Sequence, residues 1–196
     1  MILRSWRKNL LAAGWLLSLA CGSVGESAEH PRIEIFSRGG PEGGLFIKRD
    51  ALLKIKFPQP VKINERVAVT HGAVGYMEKD SKNGGYLFVP ANEVPLKTGT
   101  QFGWLLMIDS KLDEIEVVEE FSLPRKNQTW NVDADQTKIS QDGLTATTTD
   151  NRWFWNFLWR VWTLEEGDPD GMHKFKIRLA GKVAGEFAFE IKKTSK

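Results

Sequence analysis

Disulfide staples and zinc ribbons need cysteines in number, and this chain has one, Cys21. Histidine is nearly as scarce. His30, His71 and His173 stand far apart and form no HxxxH or HExxH arrangement, so no structural metal site is expected. There is no GxSxG elbow, P-loop or GxGxxG turn to seat a nucleophile or a phosphate. Charge of one sign is lacking too. Taking Arg4, Arg7, Lys8 and Glu26 away with an N-terminal leader reduces 27 basic and 25 acidic residues to 24 of each. A neutral body exerts no long-range pull on nucleic acid or anionic lipid. No cofactor, no metal and no nucleic-acid partner are therefore expected, and a non-enzymatic role is favoured over a hydrolase whose site assembles only in space.

What is present begins with the leader, residues 1–28. Arg4, Arg7 and Lys8 form a positive start, and Leu10 to Ala20 (LLAAGWLLSLA) is apolar. Such a stretch is too short for the ~30 Å hydrocarbon core, so it reads as a removable export signal. Cys21 then has two readings. In one it is the lipid-acceptor cysteine of a bacterial lipoprotein: Ala20 precedes it and Gly22-Ser23 follow, although Ser18 and Leu19 stand in swapped order. In the other it is a small apolar member of the leader, and cleavage falls after Gly25 or Ala28. Lipidation would anchor the protein; later cleavage would leave it free. The location expected is export, either periplasmic or envelope-anchored, with membrane contact only through a lipid on Cys21.

The body reads as strands. Arg32 to Phe36 alternates, Leu52 to Phe57 (LLKIKF) alternates again, and Arg66 to Met77 follows, with Gly72 and Gly75 marking a bulge or a close backbone approach. Asn83-Gly84-Gly85 is a turn before Tyr86 to Val89. Phe102 to Ile108 and Ile115 to Leu123 are expected to pair as a hairpin around Asp109–Asp113. In the second of these, Ile115, Val117, Glu119 and Phe121 share one face and Glu116, Val118, Glu120 and Ser122 the other. Leu144 to Thr149 is expected as a short edge strand. A closing hairpin turns at Ala180-Gly181-Lys182, with Phe175, Ile177 and Leu179 facing inward and Phe187, Phe189 and Ile191 returning in register.

The densest segment is Trp153 to Trp162 (WFWNFLWRVW), in a chain with eight Trp and eleven Phe. Helical spacing would align Trp155, Leu158, Trp159 and Trp162. Strand spacing aligns Trp153, Trp155, Phe157, Trp159 and Val161, and the aromatic and β-branched enrichment favours the strand. Its side chains either fill a core or form a binding surface. In the second case Trp153, Trp155 and Trp159 would stack on a sugar ring and Arg160 would add hydrogen bonds, as in a carbohydrate-binding module. The acidic stretch Glu165 to Gly171 and the cluster Asn131, Asp133, Asp135 and Asp142 resemble calcium loops only superficially and read as solvated turns.

Two segments carry a family likeness: Val94-Pro95-Leu96-Lys97-Thr98-Gly99-Thr100-Gln101-Phe102-Gly103, and Trp162 to Ile191 (WTLEEGDPDGMHKFKIRLAGKVAGEFAFEI). The first is similar to a "P…G..FG" hairpin opening and the second to a closing "W…G…F.I…G…A…F.I" hairpin. Together they resemble a family of short exported bacterial immunoglobulin-like domains of unknown function, over about residues 66–192. The family often has a Trp where His173 or Phe175 stands here. The resemblance implies a fold and brings no catalytic or binding residues.

The expectation is an all-β protein: an antiparallel immunoglobulin-like β-sandwich over 66–192, preceded by strands or an extension over 29–65 and followed by a basic tail, 193–196. It is read as an exported binding or accessory module of the bacterial cell envelope, whose partner is an envelope protein or a glycan.

Overall fold

Period-two alternation is realised as strands throughout. The computed structural model describes residues 32–35, 45–48, 60–79, 86–112, 114–127, 130, 132, 135–153 and 157–193. The leader with Cys21, the expected strand Leu52 to Phe57, and Trp155 lie outside the described residues. The strands are β1 (Arg32–Ile35), β2 (Leu45–Lys48), β3 (Val61–Lys62), β4 (Val67–Lys79), β5 (Tyr86–Pro90), β6 (Glu93–Pro95) and β7 (Gln101–Ser110), then β8 (Glu114–Ser122), β9 (Thr137–Ile139), β10 (Thr145–Trp153), β11 (Phe157–Thr163), β12 (Gly171–Leu179) and β13 (Lys182–Lys192).

They form two sheets. The seven-stranded sheet runs β1-β2-β5-β4-β7-β11, with β3 also on β4; the six-stranded sheet runs β6-β13-β12-β8-β10-β9. Most pairs are antiparallel, as expected, but β2 with β5 and β6 with β13 are parallel, so both sheets are mixed. The inner faces meet in one aromatic core. Phe121 lies 4.6 Å from Phe175 within its own sheet and 4.8 Å from Trp162 of the other, ring centre to ring centre.

Three sequence expectations are corrected. β7 and β8 do not form a hairpin: β7 pairs with β4 and β11, β8 with β12 and β10. The chain instead passes from one sheet to the other between Ser110 and Glu114, a step of about 10 Å that a few extended residues span. The reason lies in the side chains. β7 is apolar on both faces, whereas the acidic outer face of β8 meets basic neighbours, Arg178 Nε standing 3.2 Å from Glu120 Oε1. Second, the Leu144–Thr149 segment is not an edge: β10 runs on to Trp153 between β8 and β9. Third, the aromatic run is not one strand, because β10 ends at Trp153 in one sheet and β11 begins at Phe157 in the other.

The local turn chemistry follows the sequence. Ala180 and Gly181 both take positive φ, 46° and 79°, between the paired Leu179 and Lys182, the two-residue turn whose twist suits a hairpin. On β4 the register shifts between Val69 and His71, next to Gly72. Gly75 is a close approach: a Cβ there would lie 2.1 Å from the carbonyl oxygen of Val89.

Candidate functional site

Two arrangements stand out, one between the two sheets and one on the outer face of the seven-stranded sheet. The interior one is built on β8. Alternation places Ile115, Val117, Glu119 and Phe121 inward, so a carboxylate enters the core with 0% exposure. The facing sheet answers it with two indole donors and a cation. Trp104 Nε1 donates to Glu119 Oε2, Trp162 Nε1 donates to Oε1 at 2.8 Å, and Arg160 Nε stands 3.2 Å from Oε2. β7 and β11 bring these groups together because Trp104 and Arg160 are cross-strand partners, with Trp162 two residues further along.

The chain of charges continues outward. Arg160 Nη2 donates to Asp150 Oδ2 at 3.0 Å, and Arg152 Nε donates to the same oxygen at 2.9 Å. Burial, helped by the nearby Arg160, draws the Arg152 guanidinium below its ordinary value, and Asp150 opposes this. Two carboxylates and two guanidinium groups thus neutralise each other across the sheet interface. A buried charge so compensated is tolerable, whereas one left alone is not.

The second arrangement lies on the opposite face of the seven-stranded sheet. β7 sends Phe102, Trp104, Leu106 and Ile108 into the core and therefore Leu105 and Met107 outward. Buried Ala73, Phe88 and Leu105, together with half-buried Met77, Met107, Phe157 and Trp159, form a second apolar cluster across β4, β5, β7 and β11. Gly75 and Gly103 are cross-strand partners on this face and leave it without side chains at its middle.

At one end of the sandwich the acidic loop is occupied with holding itself. Asp168 Oδ1 accepts from Asn127 Nδ2 at 2.8 Å, and Oδ2 accepts the Glu165 N–H at 2.8 Å. Among the described residues no group of three or more His, Cys, Asp or Glu converges to hold a metal ion. His173, 1% exposed, lies beside the stacked rings of Phe121 and Phe189 and places Nδ1 2.9 Å from the Gly171 carbonyl. A carbonyl only accepts, so Nδ1 carries the proton, and Nε2 is a buried acceptor without a partner.

Burial pulls the His173 pKa below its ordinary 6.5, against smaller opposing effects of the Gly171 carbonyl, Asp168 and Asp170. The unfolded chain then takes up this proton near pH 6.5 while the folded one does so only at lower pH. The stability held by neutral His173 is complete above that value and is lost as pH falls toward the folded pKa. Urea midpoints between pH 7.5 and pH 5 should drop with a limiting slope of about 1.4 kcal/mol per pH unit from this proton. His173→Phe, which keeps the ring stack, should flatten that part of the profile; an unchanged slope would assign it to other groups.

The expected binding residues are not gathered in one place. Trp159 lies on the outer face and is half-buried. Arg160, its neighbour on β11, points the other way and is 5% exposed among Glu119 and Asp150. Consecutive strand residues face opposite sides, so these two cannot serve one ligand. Trp153 closes β10, and Trp155 lies outside the described residues. Two residues that the sequence did not single out are Glu119 and Asp150. The available signal was Glu119 itself, an acid in phase with Ile115, Val117 and Phe121.

Comparison with known proteins bears on the fold. Residues 73–192 match a family model described as "PM0630 beta sandwich domain". No curated protein matches the chain. Among solved structures, it is similar to an immunoglobulin-like protein from Pseudomonas aeruginosa, with 14% identity, 67% of this chain and 100% of that one covered, and a TM-score of 0.46. It is also similar to the alkylpurine DNA glycosylase AlkC of Pseudomonas fluorescens bound to DNA containing an abasic-site analogue, with 11% identity, 66% and 31% coverage and a TM-score of 0.32. The family model spans more than half of the chain and nearly all of residues 66–192, which carry the family likeness. The chain belongs to the PM0630 β-sandwich domain family.

Proposed function

We propose that this protein is an exported, non-enzymatic accessory module of the bacterial cell envelope that docks an envelope protein on the outer face of its seven-stranded sheet. The observation carrying this reading is the second apolar cluster. A sheet needs one apolar face for its core, and this one has two. Half-buried Met77, Met107, Phe157 and Trp159 give the outer face a soft, adaptable apolar surface. Thioethers and aromatic rings beside one another suit a protein partner better than a sugar, which needs several hydrogen-bonding groups around its stacking ring. The half-buried indole of Trp159 is what favours the second reading, a glycan stacked on that ring. Arg160 would take no part, since it is buried on the opposite face in ion pairs with Asp150 and Glu119. The leader supports export, and Cys21 would supply a lipid anchor if cleavage falls before it.

The test is photocrosslinking in the producing bacterium. A photoreactive residue at Met107 should give one discrete adduct with another protein, while the same residue at Thr147, on the outer face of the six-stranded sheet, should give none. Equal labelling from both positions, or none from Met107, would sink the protein-docking reading. Quenching of Trp159 fluorescence by envelope oligosaccharides, lost in Trp159→Ala, would support the glycan instead. Mass spectrometry of the mature N-terminus decides the address: diacylglyceryl-Cys21 means anchored, and a free start at Glu26 or Glu29 means unanchored.

A further inference from the structure

His173 stands where β12 is laddered on one side only. Gly171, Met172 and His173 pair with Ile191, Glu190 and Phe189 of β13, but pairing with β8 begins at Lys174, opposite Ser122. Among the described residues, side chains rather than a ladder close the β8 side here. Asp168 and Asn127, 7% and 5% exposed, join the loop after β11 to the segment after β8, and Arg125 Nη2 stands 2.7 Å from Asp170 Oδ1. Pro124 packs on Gly171, where a Cβ would lie 3.4 Å from its ring. Gly167 and Gly171 take φ of 89° and 110°, so the backbone has a turning point at each end of the stretch between them. A one-sided ladder closed by a few side-chain bonds is a contact that opens before the core does.

Into this seam the fold sets an imidazole that can take one more proton. Nδ1 already carries the proton that meets the Gly171 carbonyl, so a second must go to Nε2, a buried atom with no acceptor before it. The surroundings offer little to balance the new charge. β8 and β13 present the rings of Phe121 and Phe189, and Glu119, the next inward residue of β8, is engaged by Trp104 and Trp162. The loop presents Asp168 and Asp170, whose fields favour the proton but are outweighed by burial. Both are occupied, Asp168 by Asn127 and the Glu165 N–H, Asp170 by Arg125. Lys126, the other cation of the segment, lies over Gly143. An imidazolium must therefore draw a carboxylate off its present partner or admit water. Either route breaks the bonds that close the β8 side.

We propose that His173 is the pin of an acid-operated latch at this end of the sandwich: a proton on Nε2 frees residues 165–173 from residues 123–127 while the two sheets stay closed. The latch needs nothing bound on the outer face of the seven-stranded sheet.

Native-state hydrogen exchange of the mature chain over a urea series, between pH 7.5 and pH 5 and corrected for intrinsic rates, tests this. Amides of residues 168 and 170–173 should exchange through an opening nearly independent of urea, because it exposes little surface. Amides of β7 and β8 should follow the full urea slope of unfolding. Protection of the latch amides should fall as pH drops below 6.5, by up to about tenfold per pH unit, until the folded His173 is itself protonated. His173→Phe, which keeps the ring and takes no proton, should lose that dependence. Exchange of the latch amides with the urea slope of β7 and β8 overturns the proposal, because His173 is then reached only by global unfolding. So does a pH dependence that persists in a folded His173→Phe protein. Should the phenylalanine variant not fold, His173→Gln, which keeps a donor for the Gly171 carbonyl, is read in the same way.

Discussion

Glu119→Ala is expected to cost about 3–5 kcal/mol, a large share of the roughly 5–15 kcal/mol that holds a domain of this size together. The loss is not the worth of one ion pair. Removing the carboxylate leaves the indole N–H groups of Trp104 and Trp162 without their acceptor and deprives the buried Arg160 of one of its two anions. Each stranded group then bears its own desolvation cost. The comparison that isolates the mechanism is a double-mutant cycle with Arg160→Met. Removing both charges leaves Asp150 and Arg152 as a balanced pair, so the double variant should be more stable than the sum of the single losses predicts, by about 0.5–3 kcal/mol. Chemical denaturation followed by tryptophan emission reads both quantities, since Trp104 and Trp162 report directly on the carboxylate. Strict additivity would show that Glu119 and Arg160 do not act as a unit.

Phe121→Ala should be about as damaging, at roughly 3–5 kcal/mol, for a different reason. Phe121 is 0% exposed and is the ring around which the aromatic core is organised. Phe175 and Phe189 lie at 4.6 and 6.5 Å in its own sheet, Trp162 and Phe102 at 4.8 and 5.9 Å in the other, and the edge-on Trp130 at 6.2 Å. Truncation opens a void that rings from both sheets border, and no single neighbour can move in without leaving another contact. Phe121→Leu should cost clearly less, because it restores much of the volume but not the flat faces. Thermal or urea unfolding of the two variants checks the order; a cost for Phe121→Ala below about 1.5 kcal/mol would mean that the core collapses around the site.

Much of the local structure is readable along the chain. The alternation of Phe175, Ile177 and Leu179 against Lys174, Lys176 and Arg178 placed β12 correctly, and Ala180-Gly181 marked its turn. The glycines of β4 marked a register shift and a close approach. These features depend on neighbouring residues only, and period-two burial together with backbone sterics is enough to decide them.

What the chain order did not reveal is which strand lies beside which. Phe102–Ile108 followed by Ile115–Leu123 reads as a hairpin because a short polar loop joins two apolar strands. A link of that length serves equally well to cross between sheets. The choice was made by distant partners: β4 and β11 flank β7, while the basic side chains of β12 suit the acidic face of β8. The aromatic run posed the same problem. Its composition signalled a strand, but only the pairing with β7 showed that Trp159 faces outward and Arg160 inward.

By itself, then, the sequence determined that this is an all-β chain with an aromatic core, where many of its strands and turns fall, and which family it resembles. Those properties are set by short-range periodicity and by turn residues. The tertiary structure alone decided that Glu119 is the acceptor for two indoles and the ion-pair partner of a guanidinium, that Asp150 and Arg152 extend that network, and that a second apolar cluster lies on the outer face. These are contacts between residues 15 to 43 positions apart or across opposite sheets. No local pattern encodes them, because they exist only once two sheets have closed on each other and water has been excluded between them.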